Sequence, residues 1–195
     1  MSVDVALRRF RAEHAGVFGL LWRRLGEFDL VDVSLGDAYV AAMASWPDGV
    51  PHNPPTWMAT VALSATTGVV SRRGDVEPAS PQDDLRVLLA ACTAPGLTPE
   101  QAQVLVLRAV AGLMPMELAT LLGLPEAVVR QRLDGAKVGL RKLGGRSAAG
   151  GRSEAQQEAD AAAVIATVRG LPGREAAEVA ALLDERHGIA FAPRA

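Results

Sequence analysis

A helical spacing of apolar residues between Leu97 and Lys142 constrains this chain more than any other feature. Apolar residues recur there every three or four positions, as on one face of an α-helix. Breaks at Gly112 and at Gly123-Leu124-Pro125 divide the stretch into three short helices. The second break has the length of a helix-turn-helix, a motif that can place its second helix in the DNA major groove. The apolar positions are Ala102, Leu105, Val106, Ala109, Leu118, Leu121, Leu122, Val129, Leu133, Ala136 and Leu140.

The third helix, predicted from Ala127 to Lys142, is the most basic helix of the chain. It carries five basic residues and one acid, Asp134, which leaves a local charge of +4. Basic side chains on the outer face of such a helix neutralise phosphates and pair with guanine, although they also suit an ordinary solvated helix. Asp134 lies one turn after Arg130, and an ion pair between them is favoured over base readout. The predicted DNA contacts are Arg130, Gln131, Arg132, Lys137 and Arg141.

These residues occur in an order that resembles region 4 of extracytoplasmic-function (ECF) sigma factors. Those proteins are the promoter-recognition subunits of bacterial RNA polymerase. The matching residues are Leu97-Thr98-Pro99-Glu100, Leu105-Val106-Leu107-Arg108, Gly112-Leu113, Glu117-Leu118-Ala119, Leu122-Gly123-Leu124-Pro125-Glu126, Arg130-Gln131-Arg132-Leu133 and Ala136-Lys137.

A second block, nearer the N-terminus, is similar to region 2 of one ECF subgroup. The resemblance implies that this part contacts RNA polymerase core through Asp32, Leu35, Asp37 and Tyr39. It also implies a promoter-melting segment with Trp57, Arg72 and Arg73. The matching residues are Phe28-Asp29-Leu30, Leu35, Asp37-Ala38-Tyr39, Trp46-Pro47, Gly49-Val50-Pro51, Asn53-Pro54 and Trp57.

The melting segment departs from the family pattern. Relatives carry a basic run after the tryptophan, whereas residues 63–70 of this chain contain no Lys or Arg. A surface without cations lacks the electrostatic term that dominates phosphate contacts. Two functions are therefore considered. The first is an ECF-like sigma factor that binds polymerase core and promoter DNA; the second is a degenerate sigma-like interaction protein that keeps the fold and partner binding but does not melt promoters.

The fold class that follows is all-α, with a sigma region 2 helical domain, a region 4 helix-turn-helix domain and a C-terminal helical extension. The predicted domains are 1–73 and 83–143, joined by a linker at 74–82. A flexible linker at 144–153 leads to the extension at 154–195. The apolar stripe of the extension is expected to pack on the rest of the chain rather than on another protein.

The composition and the absence of other motifs limit the possible partners, location and activity of the protein. The net charge of −2 means that any contact with nucleic acid must be local. Cys92 is the only cysteine and is predicted to be a small buried residue, which suits a cytoplasmic protein. No apolar run is long enough for a membrane span. No metal-ligand spacing, phosphate loop or nucleophile motif is present, so no cofactor, metal or enzymatic activity is expected. The resemblance adds an anti-sigma or other regulatory protein as a partner.

Overall fold

The computed structural model describes residues 3–66, 80–144, 148 and 150–193, and in these ranges the chain is all-α. The predicted all-α class is thus confirmed. The described helices are α1 (Val3–Leu25), α2 (Phe28–Ser45), α3 (Pro54–Ser64), α4 (Pro81–Cys92), α5 (Pro99–Ala109), α6 (Pro115–Leu122), α7 (Glu126–Lys142), α8 (Glu154–Arg169) and α9 (Arg174–Ala190).

Local sequence explains where several helices begin. Asn53, Ser80, Thr98 and Ser153 each accept a hydrogen bond from a backbone N–H of the first turn, at 3.1 to 3.3 Å. Proline follows the first three of these caps in the first turn, where its missing N–H costs nothing. Each cap stabilises its helix by about 1 kcal/mol.

Helix α1 is central to the N-terminal part of the core. It packs against α2, α3 and α4, and the rings of Phe18 and Trp22 lie 4.9 and 5.5 Å from the ring of Phe28. Its approach to α4 is close, because a Cβ at Gly19 would lie 3.1 Å from the backbone oxygen of Asp84. The buried residues of the two predicted sigma-like parts therefore belong to one continuous hydrophobic cluster.

The predicted linker at 74–82 is described only in part. Residues 67–79 lie outside the described residues, and α4 already begins at Pro81. Within the segment predicted as a flexible linker at 144–153, the side chain of Arg152 is anchored. It pairs with Asp160 at 2.6 Å and donates hydrogen bonds to the backbone oxygens of Ala90 and Thr93 at the end of α4.

The C-terminal extension packs on the rest of the chain, as expected. Helices α8 and α9 contact each other and α4, and α8 also contacts α5. Ile165, Val168 and Leu183 are buried in the common core. Cys92 is buried as well, and burial raises the pKa of its thiol. None of the described helices is both long enough and apolar enough to cross a lipid bilayer.

Candidate nucleic-acid interface

The turn between α6 and α7 is set by one residue. Gly123 has the left-handed conformation, with φ 63° and ψ 33°, which costs a glycine little. The N–H of Leu124 then donates to the backbone oxygen of Ala119 at 3.0 Å, which closes the end of α6. Three residues separate the two helices, as the sequence predicted.

One side of α7 is fixed to the core and to α5. Val129, Leu133, Ala136 and Leu140, the predicted core face, are all buried. Beside them α7 packs on α5, and the segment just before α5 approaches so closely that a Cβ at Gly139 would lie 2.8 Å from the Leu97 side chain. These contacts hold α7 in a fixed orientation and determine which of its side chains face outward.

The N-terminal half of α7 presents side chains to solvent. Gln131 is exposed and Arg130 is 63% exposed. The sequence favoured Asp134 as the partner of Arg130, but the structure pairs Arg130 with Glu126 at 2.5 Å instead. A glutamate four residues before a cation is the better orientation on a helix. Arg132 is half-buried.

The C-terminal half of α7 faces the first turns of α2. The Nζ of Lys137 lies 2.7 Å from a carboxylate oxygen of Asp32 and 3.5 Å from one of Asp29. Arg141 pairs with Asp29 through its guanidinium. Lys137 is 15% exposed and Arg141 is 65% exposed. Two predicted DNA contacts thus already bind carboxylates of α2.

Asp32 also holds a buried arginine. The Nε of Arg108 donates to Asp32 at 2.7 Å, and its side chain is only 6% exposed. Burial alone would raise the pKa of Asp32, but the charges and hydrogen bonds of Arg108 and Lys137 outweigh it and hold the pKa below its ordinary value. We call Asp29, Asp32, Arg108, Lys137 and Arg141 the α2–α7 ion network.

The residues predicted to contact polymerase lie in different environments. Asp32 belongs to the ion network, Leu35 is buried in the core, and Tyr39 is half-buried with its ring 6.3 Å from that of Phe10. Only Asp37 of the four is exposed. The outer face of α2 presents Asp37 together with the exposed apolar residues Val33, Val40 and Met43.

The predicted melting segment is described only at Trp57. Its half-buried ring packs edge-on against Trp46, with 5.5 Å between the ring centres. Arg72 and Arg73 lie outside the described residues.

A buried histidine lies where α1 meets α2 and the turn after α5. His14 borders a cavity of about 20 Å³, together with Tyr39 and Arg108, and its Nε2 has no hydrogen-bond partner among the described residues. Burial, assisted by the charge of Arg108, lowers the pKa of His14 to about 3. The imidazole is therefore neutral at physiological pH. In the described ranges, no three His, Cys, Asp or Glu side chains are grouped to hold a metal ion.

In the described residues the protein is all-α. It contains two helices joined by a three-residue turn, and the second of these helices is basic. No family model and no solved structure matches the chain. It is 26% identical, over 166 residues, to an uncharacterized protein of Rhizobium meliloti (strain 1021). The match covers 73% of this chain but only 38% of that relative, which is much longer.

Proposed function

We propose that this chain is an ECF-sigma-like transcription protein of the cytoplasm. In this proposal, α7 binds promoter DNA and α2 contacts RNA polymerase core. The observation that carries the proposal is the exposed N-terminal half of α7, which follows a three-residue turn and carries Arg130 and Gln131. In a helix-turn-helix, residues at this end of the second helix contact the base edges.

The ion pair of Arg130 does not prevent such contact. Its partner Glu126 is on the same helix, and both side chains are accessible to solvent, at 63% and 41%. Exposed pairs at this spacing contribute only about 0.3–0.5 kcal/mol. A bidentate contact with a base discriminates by about 1–3 kcal/mol, so duplex DNA would displace Glu126 from Arg130.

A reversal of charge at Arg130 tests DNA binding. We expect Arg130→Glu to weaken binding to a fluorescently labelled promoter-length duplex by at least about tenfold, measured by fluorescence anisotropy. Arg174→Glu is the matched control, because Arg174 also forms an exposed ion pair with an acid four residues away on its own helix. Both variants should keep the helical circular dichroism of the parent. Equal losses in the two variants would refute the assignment of α7 as the DNA-binding helix.

The second candidate is a degenerate sigma-like interaction protein that keeps the fold and partner binding but does not melt promoters. It is favoured by the engagement of Lys137 and Arg141 with α2 carboxylates, which withdraws two cations from DNA. A pull-down with purified polymerase core, followed by run-off transcription from a fully duplex promoter, separates the two candidates. Capture of core with transcripts supports the first; capture without transcripts or duplex binding supports the second. Failure to capture core contradicts the first candidate, because only the first requires polymerase core as its partner.

A further inference from the structure

The α2–α7 ion network has an inner and an outer part. The inner part joins Asp32 to Arg108 and Lys137, all three with side chains at most 15% exposed. The outer part joins Asp29 to Arg141, and both side chains are accessible to solvent, at 39% and 65%. Only the outer pair can exchange partners without disturbing the core.

A cleft beside the outer pair has room for a ligand. It holds about 300 Å³, and its charged lining consists of two cations, Lys137 and Arg141, and two acids, Glu27 and Asp29. The side chains of Trp22, Phe28 and Leu140 form its apolar wall. Two cations at one edge of an open cleft suit an anion, because guanidinium and ammonium groups form strong charge-assisted hydrogen bonds with phosphate. In the structure, the carboxylate of Asp29 takes that place.

We propose that this cleft is a binding site for a phosphate of the DNA backbone, and that Asp29 is its internal competitor. This proposal rests on the proposed function. It divides α7 into two halves that differ in their access to DNA. The N-terminal half is always available to bases, whereas Arg141 and, in part, Lys137 contact DNA only after Asp29 is displaced.

The position of Asp29 lowers the free-energy cost of this exchange. Asp29 lies in the first turn of α2, where the positive end of the helix dipole stabilises a carboxylate. When Arg141 leaves, the charge of Asp29 is still compensated by the N-terminus of α2 and by water. Asp32 remains bound to Arg108, so α2 stays in place during the exchange.

Substitution of the competitor tests the proposal. Asp29→Asn keeps the shape of the side chain but removes its charge. We expect it to tighten binding to a labelled random-sequence duplex by about two- to fivefold, the range for release of an exposed ion pair. Because one more phosphate is then neutralised, the slope of log K against log salt should steepen by about 1.

The control is Asp48→Asn, which makes the same change in net charge at an exposed position in the loop after α2. Helix α2 has 18 residues and is about 27 Å long. Asp29 lies in its first turn and Asp48 follows its last residue, so the two carboxylates are at opposite ends of the helix. It should change neither the affinity nor the salt slope as much as Asp29→Asn does. Circular dichroism and thermal unfolding of both variants should match the parent.

A double-mutant cycle identifies the released cation. In the background of Arg141→Gln, Asp29→Asn should bring less than half of its gain in affinity. A full gain in that background would overturn the role of Arg141 in the cleft.

The remaining outcomes separate the two proposals. If the parent binds DNA and Arg130→Glu abolishes binding, but Asp29→Asn behaves like Asp48→Asn, the cleft proposal fails and the proposed function stands. If neither the parent nor Asp29→Asn binds any duplex at low salt, both fail.

Discussion

Removal of the Asp32 carboxylate is the most direct test of how α2 is held to α5 and α7. Asp32 on α2 accepts from the buried guanidinium of Arg108 on α5 and pairs with Lys137 on α7. In Asp32→Ala, the hydrogen bond of the Arg108 side chain that remains among the described residues is a long one, 3.4 Å, to the backbone oxygen of Leu113. The charge stays buried because the arginine is enclosed by the core.

The size of the effect follows from that burial. Loss of one partner from a buried ion pair costs about 3–5 kcal/mol, because the other charge is left without compensation. The total unfolding free energy of a domain is about 5–15 kcal/mol. We therefore expect Asp32→Ala to remove a large share of the stability of the chain.

Urea unfolding followed by circular dichroism measures this loss as a shift of the midpoint at constant slope. Asp48→Ala, which removes an exposed carboxylate near the far end of α2, should change stability by less than about 0.5 kcal/mol. Asp32→Leu combined with Arg108→Met should recover at least half of the loss, since apolar side chains of similar volume replace buried ion pairs well.

Acid should remove the same contribution in the parent. The pKa of Asp32 lies below its ordinary 3.8, so the stabilisation is complete above that pH and is lost as the pH falls below it. The stability difference between the parent and Asp32→Asn should therefore shrink in acid. A loss below about 1 kcal/mol for Asp32→Ala at neutral pH would refute the reasoning, because it would mean that water reaches Arg108.

Three further predictions concern His14 on α1, Gly112 beside its ring and Gly36 on α2. His14 stays neutral down to about pH 3 when folded but protonates near 6.5 when unfolded, so the unfolding free energy should fall by about 2 kcal/mol between pH 7 and 5. His14→Gln should flatten that dependence, and His52→Gln, at an exposed position, should leave it unchanged. Gly112→Ala should cost about 2–4 kcal/mol in urea unfolding, because φ is +75° and the new Cβ would lie 2.9 Å from the His14 ring. Gly36→Ala, in α2 with nothing within 4 Å of the new Cβ, should instead stabilise by about 0.5–1 kcal/mol; a loss there would contradict the helical assignment of its surroundings.

The sequence predicts the helices well because their signals are local. Asn53 with Pro54 places the start of α3, and the spacing from Val129 to Leu140 identifies the buried face of α7. Each of these signals lies within a single helix and needs no knowledge of its neighbours.

The ion network could not be predicted in the same way. Asp32 and Arg108 are 76 residues apart, and Asp29 and Arg141 are 112 apart. The periodicity of one helix does not say which helix lies opposite. Arg108 did carry a signal, since it follows Leu105 and Leu107 in an apolar run, where an arginine requires an acidic partner. Leu35, which was predicted to contact polymerase, carried a signal of burial, because it shares a helical face with the apolar residues Val31, Ala38 and Ala42. All four are buried.

The packing of α8 and α9 on α4 bears on how the chain is made. A ribosome releases α4 long before α8 and α9 emerge to cover it. Until then the nascent chain presents apolar helix faces that chaperones recognise and that favour aggregation. This part of the core is thus completed only after α8 and α9 are translated, and the basic helix α7 is translated before it has closed.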